Sequence, residues 1–159
     1  MKRDSQGFSL IELLIVVAII LIIAAIAIPN FLRSRIAANQ ASAVQSLRMI
    51  TTAETTYSST YGGTYSPSLS SLGPPTSGTP SSAAAGLIDS VLASGAKSGY
   101  NFVYTPGAVD VSGKISSYRV TGSPASSATG TIYYYTDDSD VIRQNTTTTA
   151  GSTDSPISN

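Results

Sequence analysis

The chain changes character partway along its length. From Phe8 to Ile28 it reads FSLIELLIVVAIILIIAAIAI, and between Leu13 and Ile28 no polar side chain interrupts the run. A segment with no polar face reads as a helix that is apolar around its whole circumference. Twenty-one residues at about 1.5 Å rise span about 31 Å, close to the ~30 Å hydrocarbon layer of a bilayer. A chain of 159 residues builds only a modest core, so a membrane span is a better reading than a buried soluble helix.

Beyond Pro29-Asn30 the apolar positions become periodic. In FLRSRIAANQASAVQSLRMITTAETTYSSTY, Ile36, Ala43, Leu47, Ile50, Ala53, Tyr57 and Tyr61 recur on one helical face. Arg33, Arg35, Arg48 and Glu54 are distributed around that stripe. The pattern predicts one long helix from about Ser9 to about Tyr61. It should be kinked or locally melted around Pro29, which lacks an N–H and crowds the preceding turn. Gly62-Gly63 should end it, glycine being suited to a left-handed cap.

Residues 62–99 lack sustained periodicity and contain GPPTSGTPSS, a loop by composition. Within them AAAGLIDSVLASG (83–95) places Leu87, Ile88, Val91 and Leu92 on one face and predicts a short packing helix with Gly95 as its cap. Strand signals follow at Tyr100–Thr105, Ser117–Thr121, Thr131–Thr136 and Val141–Arg143, separated by turn-rich stretches. The expected fold class is α+β: a long N-terminal helix whose amphipathic half packs on a small antiparallel sheet. Its core would set the helix stripe against Tyr100, Phe102, Tyr104, Tyr118, Val120 and Ile132. The divisions are 1–7, a polar leader; 8–28, the span; 29–61, the amphipathic half-helix; 62–99, the connecting loop; 100–145, the sheet; and 146–159, a tail. That tail, TTTTAGSTDSPISN, has little to bury and is expected to be flexible.

Charge and composition narrow the function. Charged residues make up 11% of the chain and the formal net charge is zero, so no basic face exists to neutralise phosphates and no nucleic-acid site is evident. Cys and His are absent, which excludes disulfides, thiolate chemistry, His-ligated metals and imidazole acid–base catalysis. No nucleophile–base pair or phosphate-cradling loop stands out, no cofactor is implied, and an enzyme is not expected.

Three readings compete for the N-terminal block. Lys2 and Arg3 before an apolar core, with Ala25-Ile26-Ala27 as a small-x-small site, fit a secretory signal peptide. The apolar core is longer than the usual ~7–15 residues of such peptides, however, and Glu12 has no role there. A generic signal anchor also leaves Glu12 unexplained, since a carboxylate near the membrane interior costs several kcal/mol unless paired or protonated. The third reading rests on Gly7-Phe8-Ser9-Leu10-Ile11-Glu12 followed directly by the apolar run. This motif resembles the processing site of type IV prepilins and of the related secretion pseudopilins.

The resemblance implies cleavage after Gly7 on the cytoplasmic side by a prepilin peptidase, which then N-methylates Phe8. It extends to Glu12, the fifth residue after the cut, and to Pro29, the twenty-second. It also breaks a tie under the positive-inside rule, where Lys2 and Arg3 precede the span and Arg33 and Arg35 follow it. The leader is then cytoplasmic and the bulk of the chain exported. The family implies a precursor held in the inner membrane, a pilus assembly platform, and self-association into an extracellular helical filament for adhesion, surface motility or DNA uptake. Phe8, Glu12 and Pro29 are the expected assembly residues, with Glu12 of one subunit meeting the Phe8 amine of a neighbour. Stranding either charge in an apolar bundle would cost roughly 3–5 kcal/mol, so the acid works as a register mark. The alternatives are a type II secretion pseudopilin and an anchored exported domain that never polymerises. Many pilins close their C-terminal region with a disulfide, and this chain cannot.

Other constellations carry less. Asp137-Asp138-Ser139-Asp140 clusters carboxylates that suit calcium, but Asp and Ser also favour turns, and a turn before Val141 is the preferred reading. The nine tyrosines suit strands and a helix–sheet interface better than a charge-transport path. Asn145-Thr146-Thr147 matches the glycosylation sequon, which composition alone does not establish.

Overall fold

A computed structural model describes residues 8–157 of the chain. The chain divides into two compact units, Met1–Arg35 and Ile36–Asn159. Helix α1, Leu10–Thr60, runs through the boundary with Pro29 inside it. Its helical assignment is unbroken at that proline, so the local melting expected there is not observed. Pro29 removes one intrahelical donor, and the ladder resumes on either side of it.

The two halves of α1 differ in what covers them. Among the described residues of the first unit every large apolar side chain is exposed, Phe8 by 81%, Leu14 by 61% and Ile22 by 64%. In the second unit the stripe Ala43, Leu47, Ile50, Ala53 and Tyr57 is buried, and Ser46, Thr51 and Glu54 are buried with it. The spacing of three and four residues turns one face toward the sheet, as the periodicity predicts. Ile36 and Tyr61, the ends of the predicted stripe, are half-buried. Gly62 and Gly63 stop the helix with positive φ angles of 80° and 77°. The Gly63 amide donates to the Ser58 carbonyl at 2.8 Å, the reach-back bond of a glycine-terminated helix.

The connecting segment departs from expectation. The helix predicted over 83–95 shrinks to one turn, α2, Ser90–Ala93. Gly86 sits in the left-handed region at φ 68° and cannot continue a right-handed helix from residue 83. Asp89 instead caps the turn, its carboxylate accepting from the Leu92 amide at 2.9 Å. Ile88 and Leu92 are buried, whereas Val91 is 55% exposed. A 3-10 turn at Leu69–Leu72, capped by Ser68, was not legible beforehand, yet it places Leu69 and Leu72 in the core.

Five antiparallel strands form a meander in sequence order: β1 Ala96–Lys97, β2 Tyr100–Pro106, β3 Tyr118–Pro124, β4 Tyr133–Asp137 and β5 Arg143–Asn145. Register pairs Phe102 with Gly122 and Gly122 with Tyr134, so alternate residues share one face. Tyr100, Phe102, Tyr118, Val120 and Tyr134 point into the core with the helix stripe, while Tyr104 and Ile132 pack at its margin. Gly122 makes room there, because a Cβ at this position would lie 3.3 Å from the Phe102 ring. The result is an α+β arrangement of one long helix and one antiparallel sheet.

The tail also differs from the flexible end that its composition suggests. The Gln144 amide donates to the Ser155 carbonyl at 3.0 Å, and the Ile157 amide to the Ile142 carbonyl at 3.0 Å. The Asp154 carboxylate accepts from the Asn145 side chain at 2.9 Å and from the Gly151 amide at 2.8 Å. Ala150 is buried. These bonds tie the segment to the β5 edge where a disulfide is impossible, and cover a sheet edge that would otherwise stay open.

Candidate processing segment and assembly helix

The first described residue, Phe8, precedes α1 and is 81% exposed. The expected cleavage residue Gly7, together with Lys2 and Arg3, lies outside the described residues. The helix begins with the Leu13 amide donating to the Ser9 carbonyl at 3.2 Å. Glu12 is the acidic residue of the first turn, where the positive end of the helix dipole favours a carboxylate. It is exposed, and among the described residues it takes no ion-pair or hydrogen-bond partner. It stands four positions after Phe8, which itself precedes the helix. The structure thus presents a carboxylate without a partner at the head of an uncovered apolar cylinder.

That cylinder is the main chemical feature of the first unit. The window around it has a mean hydropathy of 3.3 with none of it buried, and it is long enough to cross a membrane. Nothing within the unit covers Leu10, Leu13, Leu14 or Val17. Pro29 sits exposed near the end of the apolar run.

The other expected candidates are local structure. Asp137 Oδ1 accepts from the Ser139 amide at 3.0 Å, and Asp137 Oδ2 from the Tyr135 hydroxyl at 3.1 Å. Partial burial works against ionisation of Asp137, yet the Ser139 bonds hold its carboxyl below the usual range. The Asp140 amide donates to the Asp137 carbonyl at 3.0 Å and Asp140 has φ 60°, which makes this segment a tight turn. Among the described residues no three Asp or Glu side chains converge to hold a metal ion, and Asp137 and Asp140 serve the turn that the sequence reading preferred. The Asn145 side chain is engaged at both ends, donating to Asp154 and accepting from the Thr147 amide at 2.9 Å.

One buried polar residue escaped the sequence reading. Glu54 has no exposed surface. It accepts from the Ser66 amide at 2.9 Å and from the Ser66 hydroxyl, while the Tyr104 hydroxyl donates to the Ser66 carbonyl at 2.9 Å. The network fastens the chain after α1 to β2. Its position four residues after Ile50 and three before Tyr57 is the signal that could have placed it on the buried stripe. Burial pushes the Tyr104 and Tyr118 hydroxyls well above their ordinary value, with the Glu54 charge adding to the effect. Burial likewise raises Tyr100, to about 12.

Residues 2–28 match the family described as the prokaryotic N-terminal methylation motif. The motif so matched includes the apolar run at the start of α1. Among characterised proteins, the type IV major pilin protein PilA of Myxococcus xanthus is 49% identical over 53 residues, covering 33% of this chain and 24% of that protein. The type IV wide pilus major component PilA4 of Thermus thermophilus is 62% identical over 37 residues, covering 23% of this chain and 28% of that protein. The matched region therefore spans about a quarter of each relative. No solved structure matches the chain. The N-terminal segment is similar to the corresponding parts of these two type IV pilus proteins.

Proposed function

We propose that this chain is a type IV pilin, a structural subunit stored in the inner membrane and polymerised through its N-terminal helix into an extracellular filament. One observation carries the reading. A methylation motif coincides with the first half of α1, where the large apolar side chains are all uncovered. Such a surface demands an external apolar partner, first lipid and then copies of itself. A head-to-tail contact between identical chains that does not close on itself yields a fibre.

In this reading a prepilin peptidase cuts after Gly7 and methylates Phe8. The new amine is then paired by Glu12 of a neighbouring copy, with Pro29 marking the end of the apolar contact and an assembly platform driving extraction from the membrane. The role is structural and not catalytic. The test is electron microscopy of sheared surface fractions, together with the intact mass and terminal sequence of the surface form. Filaments built of chains that start at N-methylated Phe8 are expected, and Gly7→Leu should leave uncleaved precursor in the membrane. A terminus at Ile28 would mean that Ala25-Ile26-Ala27 is the processing site and would sink the proposal.

A further inference from the structure

Past Ile28 the helix continues through Asn30, Phe31, Leu32, Arg33, Ser34 and Arg35, all within the first unit. Phe31 is 67% exposed and Leu32 45%. The Ser34 hydroxyl is satisfied within the helix by the Asn30 carbonyl at 3.0 Å. The two arginines are exposed, and among the described residues neither has an ion-pair or hydrogen-bond partner.

We propose that Arg33 and Arg35 form a binding site for the phosphodiester headgroups of phospholipids on the exported face of the membrane. This inference rests on the reading of residues 8–28 as a membrane span. The argument begins with depth. Arg33 and Arg35 lie five and seven residues beyond Ile28, about 7.5 and 10 Å along the helix axis. The polar layer on each side of the hydrocarbon slab is about 5–7 Å thick, and an arginine stem can bend several ångströms to keep its head in it.

Direction comes next. At about 100° per residue, Arg35 stands on the same side as Phe31, and Arg33 stands on the opposite side. The helix is therefore gripped from two sides, with Phe31 seated at the slab boundary one turn before Arg35. Chemistry then selects the ligand, because a planar guanidinium pairs two donors with two phosphate oxygens in a way that a solvated lysine does not. A pair of arginines on the exported side also runs against the usual bias of cationic residues toward the cytoplasm, so their place needs a local cause. The grip sets the depth of the stored subunit, and assembly must break both contacts when the helix leaves the lipid.

The test uses the full chain in bilayers of phosphatidylcholine and phosphatidylglycerol, in phosphate-free buffer so that all phosphorus belongs to lipid. Solid-state NMR measures the dephasing of 15N-labelled guanidinium signals by headgroup 31P, and in parallel the contact of residues 8–28 with acyl chains. Dephasing that is lost in R33Q/R35Q, with acyl contacts unchanged, is the expected result. Acyl contacts without guanidinium dephasing would overturn the lipid site while leaving the span reading intact. Missing acyl contacts would remove the span reading and the site with it. Guanidinium contact to Asp138 or Asp140 of a differently labelled copy, in place of phosphorus, would assign the arginines to a second chain and also overturn the proposal.

Discussion

The two halves of α1 share one backbone conformation and differ in everything that stabilises them. Around Leu14 and Ile22 the helix is apolar on all sides and exposed on all sides. Around Leu47 and Ile50 it is apolar on one side only, and that side is fully buried. The second half completes a core within its own chain. The first half carries a larger apolar surface and no partner for it, so its free energy is decided by what the chain meets outside itself. Secondary structure alone says nothing about this difference, whereas the periodicity of apolar positions states it directly.

The most severe way to test the comparison is to separate the halves. A chain lacking residues 1–35 should be a soluble, folded monomer, because the second unit keeps the whole cluster from Ala43 and Leu47 to Tyr134 and Ile142. It should form no filaments. Circular dichroism and size exclusion check the first claim and electron microscopy the second. Fibres assembled from the truncated chain would show that the apolar helix is dispensable. With no cysteine in the chain, reductant should not alter the domain's stability.

A smaller but still large effect is expected from Glu12→Ala. The substitution removes the carboxylate that lies unpartnered at the helix start and should leave insertion of the apolar run untouched. Fibre yield at matched membrane pools should fall roughly tenfold or more, since an unmatched charge in an apolar bundle is strongly disfavoured. Normal yield from the variant would rule out the pairing of Glu12 with the Phe8 amine. A defect confined to methylation would move the role of Glu12 to the peptidase step.

Paired core substitutions sharpen the contrast within one helix. Leu47 has no exposed surface, so Leu47→Ala should destabilise the domain by about 2–5 kcal/mol through lost burial and a residual cavity. Leu14→Ala removes the same atoms from a side chain that is 61% exposed, and should leave the domain's unfolding midpoint unchanged. Denaturant titration of the full chain in detergent reads both. Equal losses at the two positions would mean that the first unit contributes to the folding of the second.

How far the residue pattern carries is visible in the same places. The span follows from an unbroken apolar run, and the buried stripe and the strands follow from periods of 3.6 and 2, which burial on one face imposes on sequence. The methylation motif is legible because it is a linear string of residues that does not depend on how the rest of the chain folds. Glu54 was misplaced because a charged residue is normally assigned to solvent, and only the Ser66 amide and hydroxyl, brought by a later loop, make its burial tolerable. The tail looked loose because no local pattern announces Asp154, whose partners Asn145 and Gly151 come from the closing of a turn. Gly86 was visible within the predicted helix, but only its positive φ of 68° shows that it breaks the pattern.

The smallest expected effect is a pH dependence confined to one half of the comparison. Burial raises the Tyr100 hydroxyl from 10.0 to about 12, and raises Tyr104 and Tyr118 further in the same direction. A tyrosine is neutral below its pKa, so a raised value means the folded state holds its proton where the unfolded state has lost it. The contribution is complete below pH 10.0 and is lost as pH rises through about 12. The domain's denaturant midpoint should therefore be flat below that window and fall within it, and the part of the tyrosinate absorbance that Tyr100→Phe removes should rise with unfolding rather than ahead of it. Tyr100→Phe should flatten part of the alkaline decline. At neutral pH it should cost about 1 kcal/mol, because the hydroxyl's bond to the Ile132 carbonyl is lost. No tyrosine lies between residues 8 and 35, so the full chain and the truncated domain should show the same alkaline midpoint. An earlier decline in the full chain would tie the stability of the domain to the helix that precedes it.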